Sequence, residues 1–328
     1  MYTVALTVGD TLQGAPVKTQ TIRHYLHAAV DFIQKVGTRR DNPMIDPTTG
    51  KTFRPIEDCL TDFQKWETMP DRKSPLTKKM IKDLIIFTKD HHIDSKARAF
   101  VDWCIVGIHM GYRGCEWLST HKPKHATDFP RVRDHPDKPI YQVLLDDMIL
   151  IGSNGARVPD ELTHPVDDLR GTQIKVRFQK NKQNGQIVSQ ARNTEDPDLC
   201  VTRAVQRIKQ RAARLGLCGD DPASCYKSNP GSKRPSFFYT RLVVELLESM
   251  ALRTYKIDNL IDSRLSYTPH SFRIGGCVVL HAAGADTNDI QTRLRWRSDK
   301  FKNYLRDLPQ IAINHVKMFN IADVDSWA

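Results

Sequence analysis

One strand–turn–strand pattern in an otherwise helical chain most sharply limits how this sequence can fold. Residues 172–179 (TQIKVRFQ) alternate apolar and polar side chains, which is the period of a strand with one buried face. Asn184 and Gly185 follow at a turn, and residues 186–192 form the return strand, a strong hairpin signal. A single hairpin cannot build an all-β core, so we expect a small antiparallel sheet in a mainly helical α+β fold.

Helical periodicity dominates the rest of the chain. Apolar residues recur at helical spacing in segments 21–36, 56–68, 75–89, 95–109, 201–216, 236–255, 270–284 and 286–296. Ser74 or Thr77 is expected to cap the third segment, and Asp286 or Thr287 the last. Strand-like runs occur at 139–145 and 148–151.

A short polar segment with two prolines, MPDRKSP, interrupts this pattern, and we place a domain boundary there, near residue 72. Residues 1–70 carry eight Lys or Arg and eight Asp or Glu, whereas the whole chain has a formal net charge of +11. The positive excess therefore lies in the second segment. Such an excess favours polyanionic partners through phosphate contacts and counterion release.

Several functional classes are disfavoured by the composition. The seven cysteines are odd in number and form no Cys-x-x-Cys pair, which argues against a disulfide framework or a zinc site and favours reduced, mostly buried thiols. No run of about 18 apolar residues is present, so we expect no membrane span. Carboxylates are not clustered as in two-metal nucleases, so we expect neither a metal nor a cofactor.

Two groups of residues have the chemistry to bind a phosphate. His270 and Arg273 are three residues apart in a helical context, which places a titratable imidazole and a permanently charged guanidinium on one face. Arg113 lies between two glycines, where the backbone can approach a ligand closely, and Glu116 can orient its guanidinium. Taken singly, each pattern is also typical of a solvated helix face or a surface ion pair.

Further basic candidates lie on the hairpin and on the helix that follows it. Lys180 and Lys182 occupy the turn, from which a lysine can reach a DNA groove or donate a proton. Arg203, Arg207 and Arg211 lie on the helix and can track phosphates, although their spread around the helix also fits a solvated face.

The combination of these residues resembles the tyrosine recombinase (integrase) family. The family signature is an arginine with an acidic residue three positions on, then His-x-x-Arg, a His or Trp 23 residues later, and a tyrosine eight or nine residues beyond. At those spacings this chain has Arg113 with Glu116, His270-Ser-Phe-Arg273, Trp296 and Tyr304. The text HAAGADTNDIQTRLRW also resembles the family's helix, Gly-Ala-Asp turn and helix.

The resemblance covers roughly residues 74–308. It implies a helical core-binding domain at 1–72, short for the family, and a catalytic domain at 73–308. It also implies a tail helix at 309–328 that docks on a neighbouring protomer, although packing on its own domain fits equally well. Double-stranded DNA is the implied partner, bound by a homo-tetramer on two DNA sites.

The resemblance also implies a role for each residue of the signature. Tyr304 is the nucleophile that forms a 3′-phosphotyrosyl bond. Arg113 and Arg273 bind the oxyanion, His270 assists proton transfer, and Trp296 packs in the site. The family's hairpin lysine, which protonates the leaving 5′ oxygen, matches Lys180 better than Lys182.

Within the family, the sequences of the hairpin and of the segment before the tyrosine look closest to eukaryotic mobile-element recombinases of the Crypton type. That resemblance implies a nuclear location. Most members have Gly before the His or Trp, whereas this chain has Arg295. Three alternatives remain open. They are a type IB topoisomerase-like enzyme, a domesticated DNA-binding protein without catalysis, and an unrelated basic enzyme.

Overall fold

The structure, a computed structural model, describes residues 17–37, 41–67, 72–124, 142–158, 161–179, 184–232, 234–258, 260 and 265–305. Lys180, Lys182 and the predicted tail helix at 309–328 lie outside these residues. The chain divides into two compact units, Met1–Asp71 and Arg72–Ala328. The functional roles expected for the two units stay predictions.

The first unit contains two helices, α1 (Thr19–Val36) and α2 (Arg54–Trp66). Ile22 of α1 and Leu60 of α2 are buried together, and both fall on the apolar faces that the periodicity predicted. The Arg23 guanidinium donates two hydrogen bonds to the Glu57 carboxylate, at 2.7 and 2.8 Å, which ties the two helices together beside this contact.

The second unit is mainly helical and carries two small antiparallel sheets, ordered β1-β2-β3 and β4-β5. Its elements in chain order are α3 (Lys78–Phe87), α4 (Lys96–Met110), β1 (Met148–Gly152), β2 (Leu169–Val176), β3 (Gln186–Ala191), α5 (Val201–Arg214), β4 (Cys225–Lys227), β5 (Pro235–Phe237), α6 (Thr240–Tyr255), α7 (Ser271–Ala282) and α8 (Thr287–Leu294). This confirms the predicted α+β class. None of the helices in the described ranges is long and apolar enough to cross a bilayer.

The predicted hairpin forms from β2 and β3. Ile174 pairs with Val188 across the two strands, and Met148 of β1 pairs with Ile174 on the other side. All three side chains are buried on the face of the sheet that packs against α5. Gly185 occupies the turn with φ +81°, a left-handed conformation that glycine adopts without steric cost.

Two segments differ from the strands and helices predicted for them. Residues 236–237 belong to β5, because Phe237 pairs with Cys225, and the helix starts only at Thr240. Residues 142–145, the described part of the strand expected at 139–145, contain no strand. There the Leu144 backbone N–H donates to the Asp147 carboxylate at 2.9 Å, and the chain enters a short 3-10 helix instead.

Helix α4 lies at the centre of the second unit. Its side chains are buried on every side and pack against α3, α5 and α7, as expected of a core helix. Gly276 of α7 allows a close approach to α4, because a Cβ added there would lie 2.6 Å from the Ile108 carbonyl oxygen. This crossing brings the beginning of α7 to the C-terminal end of α4.

Candidate active site

The predicted site residues meet at the C-terminal end of α4. A helix leaves its last carbonyl groups without intrahelical partners, and its dipole makes that end electronegative. The Met110 carbonyl accepts a hydrogen bond from Arg295 Nη1 at 2.8 Å, and the Gly111 carbonyl accepts one from Arg273 Nη1 at 2.8 Å. The helix end thus gathers two guanidinium groups that lie more than 160 residues further along the chain.

Glu116 joins a third guanidinium to this group. Its Oε1 accepts from Arg113 Nη1 at 3.0 Å, and its Oε2 accepts from the Arg113 backbone N–H at 3.0 Å and from Arg295 Nη2 at 2.8 Å. The Glu116 side chain is 1% exposed, so these hydrogen bonds offset the cost of burying its polar oxygens. Arg113 is 23% exposed, which leaves part of its guanidinium open to a ligand.

Arg273 is buried beneath this surface. Its Nη2 donates to the Arg295 carbonyl at 3.2 Å, and its guanidinium carbon lies 4.1 Å from the centre of the Trp296 ring, a cation–π contact. Burial, together with the nearby charges of Arg113 and Arg295, lowers the pKa of Arg273 to about 9. Positive charge is therefore crowded at this point.

The crowding reflects an imbalance of charge. In the part of the chain that the structure describes, Arg113 and Arg295 pair with the same carboxylate, that of Glu116, whereas Arg273 is held by two carbonyl groups. A carbonyl does not cancel the charge of Arg273, and a bound anion such as a phosphate would stabilise it through charge-assisted hydrogen bonds.

His270 and Tyr304 lie in direct contact beside this positive cluster. His270 Nε2 lies 2.8 Å from the Tyr304 hydroxyl oxygen. Burial, followed by the charges of Arg273 and Arg113, lowers the pKa of His270 to about 4. Burial also raises the pKa of Tyr304 above its ordinary value, against the opposing influence of the same two arginines. Both groups are thus neutral at pH 7, and Nε2 accepts the hydroxyl proton when Nδ1 carries its own.

Packing below the site fixes the position of Tyr304. The tyrosine ends a 3-10 helix, Asp299–Tyr304, whose Phe301 is buried against α7 and α8. The Trp296 ring lies 5.8 Å from the Tyr304 ring, centre to centre, and leaves the tyrosine only partly buried. Cys277 lies in the same small cluster, and burial raises the pKa of its thiol to about 11.

The basic residues of α5 are placed very differently. Arg203 donates to Asp167 at 3.2 Å, and Arg207 and Arg211 donate to Asp102 of α4 at 2.6 and 2.5 Å. The Arg211 side chain is 1% exposed, and its charge is paired with the buried carboxylate of Asp102. For Arg211 the structure replaces the expected phosphate contact with a core ion pair.

The structure thus brings together six of the residues singled out by the sequence, Arg113, Glu116, His270, Arg273, Trp296 and Tyr304. The sequence did not predict a structural role for Arg295, which stood out only because glycine is usual at that position. Local sequence gave no signal for this role, because the partners of Arg295 are Met110 and Glu116, 185 and 179 residues away in the chain.

The described ranges contain neither a metal-binding cluster nor a disulfide bond. No three His, Cys, Asp or Glu side chains there lie close enough together to hold a metal ion. All seven cysteines are free thiols, four of them buried and three exposed.

No model of a known protein family matches this chain, and no curated protein does. Solved structures similar to it include XerA recombinase, at 16% identity and a TM-score of 0.39 over 93% of this chain and 83% of that chain. The Tn1549 transposon integrase in complex with transposon right-end DNA is similar at 14% identity and a TM-score of 0.44, over 93% and 81% of the two chains. The integrase from mycobacterium phage Brujita is similar at 13% identity and 0.29, over 92% and 73%. Because these TM-scores are below 0.5, the assignment of a function depends on the side-chain geometry.

Proposed function

We propose that this chain is a tyrosine recombinase that cuts and rejoins double-stranded DNA at specific sites. The observation that carries the proposal is the 2.8 Å contact between His270 Nε2 and the Tyr304 hydroxyl, beside the Arg273 guanidinium, which is held by neutral carbonyl groups. A neutral acceptor beside a hydroxyl nucleophile, next to an anion-binding cluster, is what an attack on a phosphodiester requires.

The proposed reaction is a transesterification. The Tyr304 oxygen attacks the phosphorus, its proton passes to His270 Nε2, and the bond from phosphorus to the 5′ oxygen breaks. The products are a 3′-phosphotyrosyl bond and a 5′ hydroxyl, whose proton we assign to Lys180. One phosphate ester replaces another, so attack by a 5′ hydroxyl on the phosphotyrosyl bond rejoins the strand. The step requires no cofactor.

The arginines would stabilise the charge that develops on the non-bridging oxygens. Arg113 is partly exposed, and Glu116 accepts one hydrogen bond from its guanidinium and one from its backbone N–H, which orients the remaining guanidinium donors. Arg273 is held by two backbone carbonyls and by the Trp296 ring. Donors held in place before the reaction need no reorganisation as charge develops, which is the largest contribution in many enzymes.

The remaining parts of the proposal depend on the resemblance of the sequence. They are the Crypton-like mobile-element context, the nuclear location, DNA contact by the first unit, and a tetramer on two DNA sites. The hairpin sequence around Lys180 and the sequence around Arg295 and Trp296 together support the Crypton-like context.

A covalent-trapping assay tests the proposal. The full chain is incubated in EDTA with nicked DNA duplexes that carry the terminal sequences of the mobile element. The mixture is then denatured. We expect a protein–DNA adduct that is absent from Tyr304→Phe, while DNA binding by the variant is retained. An adduct formed by Tyr304→Phe would exclude Tyr304 as the nucleophile.

Two further measurements, DNA binding and relaxation of supercoiled DNA, separate the alternatives. Binding without an adduct would indicate a DNA-binding protein that has lost catalysis. Relaxation of supercoiled DNA by a monomer, without choice of sequence, would indicate a type IB topoisomerase-like enzyme.

A further inference from the structure

Arg295 combines a strained backbone with a fully buried charge. In the described part of the chain, Arg295 and Lys256 are the residues other than glycine with positive φ, at 58° and 52°. Each follows the last residue of a helix, α8 and α6 respectively. A side chain with a Cβ is disfavoured in this left-handed region. Lys256 is exposed, whereas the Arg295 side chain is 0% exposed, so the two residues share a conformation and differ in surroundings.

The hydrogen bonds of Arg295 reach the supports of both other arginines. Its Nη2 donates to Glu116 Oε2 at 2.8 Å, and Glu116 in turn accepts two hydrogen bonds from Arg113. Its backbone carbonyl accepts from Arg273 Nη2 at 3.2 Å. Its Nη1 donates to the Met110 carbonyl at 2.8 Å, next to the Gly111 carbonyl that Arg273 uses.

We infer that Arg295 is a positioning residue that sets the separation and direction of the Arg113 and Arg273 guanidinium groups, and thereby prepares them for a phosphate. This inference rests on the proposed function. The residue acts through Glu116 on one side and through its own carbonyl on the other, because its Nη1 and Nη2 donate to the Met110 carbonyl and to Glu116. In its left-handed conformation, Arg295 presents its backbone carbonyl to Arg273 and its side chain to Glu116.

The chemistry of the side chain makes the role specific to arginine. A guanidinium has donors on separate nitrogens in a fixed plane, so it binds the Met110 carbonyl and the Glu116 carboxylate at once. The single ammonium of a lysine is a point charge and cannot reproduce that planar geometry. Glycine would relieve the backbone strain and leave Glu116 with Arg113 as its remaining cation.

The test compares Arg295→Gly with the matched control Lys256→Gly, which relieves the same kind of strain at an exposed helix end. Single-turnover adduct formation is measured on nicked DNA with wild-type Tyr304. We expect Arg295→Gly to react about 100-fold more slowly, as for the loss of an oriented oxyanion donor. Its DNA affinity should stay within about threefold, because the lost interaction operates in the transition state. Lys256→Gly should react at the wild-type rate.

A second substrate separates positioning from a general structural defect. A methylphosphonate at the scissile position lacks one non-bridging oxygen and its charge, so it depends less on a correctly spaced pair of arginines. We expect the loss in Arg295→Gly to be about tenfold smaller on this substrate. An equal loss on both substrates, or a wild-type rate for Arg295→Gly on the phosphodiester, would overturn the positioning role alone.

Arg295→Lys keeps the test decisive if the glycine variant does not fold. It retains the charge and most of the side-chain volume, and we expect it to recover less than about a tenth of the wild-type rate. A lysine variant as fast as wild type would overturn the role of the planar guanidinium. A wild-type protein that forms no adduct would overturn the proposed function, and the inference with it, which is a different outcome from an active Arg295 variant.

Discussion

Two groups of arginines in the second unit differ in how their charge is balanced. On α5, Arg203, Arg207, Arg211 and Arg214 are paired with Asp167, Asp102 and Asp94. At the end of α4, Arg113 and Arg295 share Glu116, and Arg273 is held by carbonyl groups, in the part of the chain that the structure describes. The first group resembles an ordinary structural ion network, whereas the second retains positive charge for a ligand.

Burial does not explain this difference, because Arg211 and Arg273 are both fully buried. What differs is the number of carboxylates within reach and the use of neutral carbonyl groups as partners. A carbonyl satisfies a guanidinium N–H without cancelling its charge. Arg273 is held by two carbonyls, whereas Arg211 is held by a carboxylate and a carbonyl. Uncompensated buried charge therefore marks the candidate site better than the density of basic residues does.

The largest expected effect comes from Arg273. We expect Arg273→Lys to lower single-turnover adduct formation by about 10²- to 10³-fold, because a preorganised donor to the oxyanion is lost. Thermal unfolding and DNA binding provide the measure of integrity, and Arg207→Lys on α5 is the control, with no expected change in rate. If Arg273→Lys keeps more than about a tenth of the wild-type rate, the arginines at the end of α4 do not have the proposed role in the reaction.

The next effect concerns stability rather than cleavage. We expect Arg211→Met to lower the free energy of unfolding by about 2–4 kcal/mol, since Asp102 loses its buried partner, while the cleavage rate per folded molecule is unchanged. Urea unfolding measures the loss. Adding Asp102→Asn should give a double variant that is less destabilised than the two single changes together. Strict additivity, or a cleavage defect in Arg211→Met, would contradict a purely structural role for this pair.

A third expectation concerns the pH dependence of the free protein. Because the pKa of His270 is lowered from 6.5 to about 4, the unfolded chain binds its proton first as the pH falls. The contribution of His270 to stability is therefore complete above pH 6.5 and is lost as the pH falls towards 4. We expect the imidazole C2 proton to titrate near pH 4 by NMR, with the signal assigned by its absence from His270→Gln.

The influence of the arginine cluster can be isolated in the same titration. Arg113→Ala removes one of the positive charges that lower the pKa of His270, so the midpoint should move upward. An unchanged midpoint would mean that Arg113 exerts no effective field on His270 and that burial and Arg273 set its pKa.

The smallest effect is expected at Arg203. Its pair with Asp167 is exposed, at 33% and 76% of the two side chains, so Arg203→Ala should change the unfolding free energy by less than about 1 kcal/mol. The slope of log DNA affinity against log salt should also stay the same. A slope reduced by about 0.9 would reveal one lost phosphate contact. It would show that α5 binds DNA although its arginines are paired with aspartates of other segments.

Local features of the fold were predictable where the deciding partner is close in sequence. Thr77 accepts from the Met80 N–H and Asp286 from the Asp289 N–H, each three residues away, so both caps could be predicted as alternatives from the sequence. The β5 strand could not be recognised in the same way, because its apolar residues also suit a helix and its pairing with Cys225 decides the outcome. Tertiary contacts regularly override strand and helix propensity in this way.

The candidate site was predictable to a similar degree. The resemblance to the tyrosine recombinase family singled out Arg113, His270, Arg273 and Tyr304, because their order and spacing match the signature of that family. It did not predict that Arg295 would join Glu116, which is 179 residues away in the chain. Nor did it predict that Asp102, 105 residues before Arg207, would pair with Arg207 and Arg211 of the basic helix.

The sequence alone determines the helical segments, the hairpin, the positive excess of the second unit and the order of the reactive side chains. These properties depend on residue types and on separations of a few residues, which set backbone preference and the faces of each element. Only the tertiary structure decides which arginines are neutralised and which keep their charge. That outcome depends on distances of about 3 Å between groups more than 100 residues apart, and packing of α4 against α5 and α7 brings those groups together.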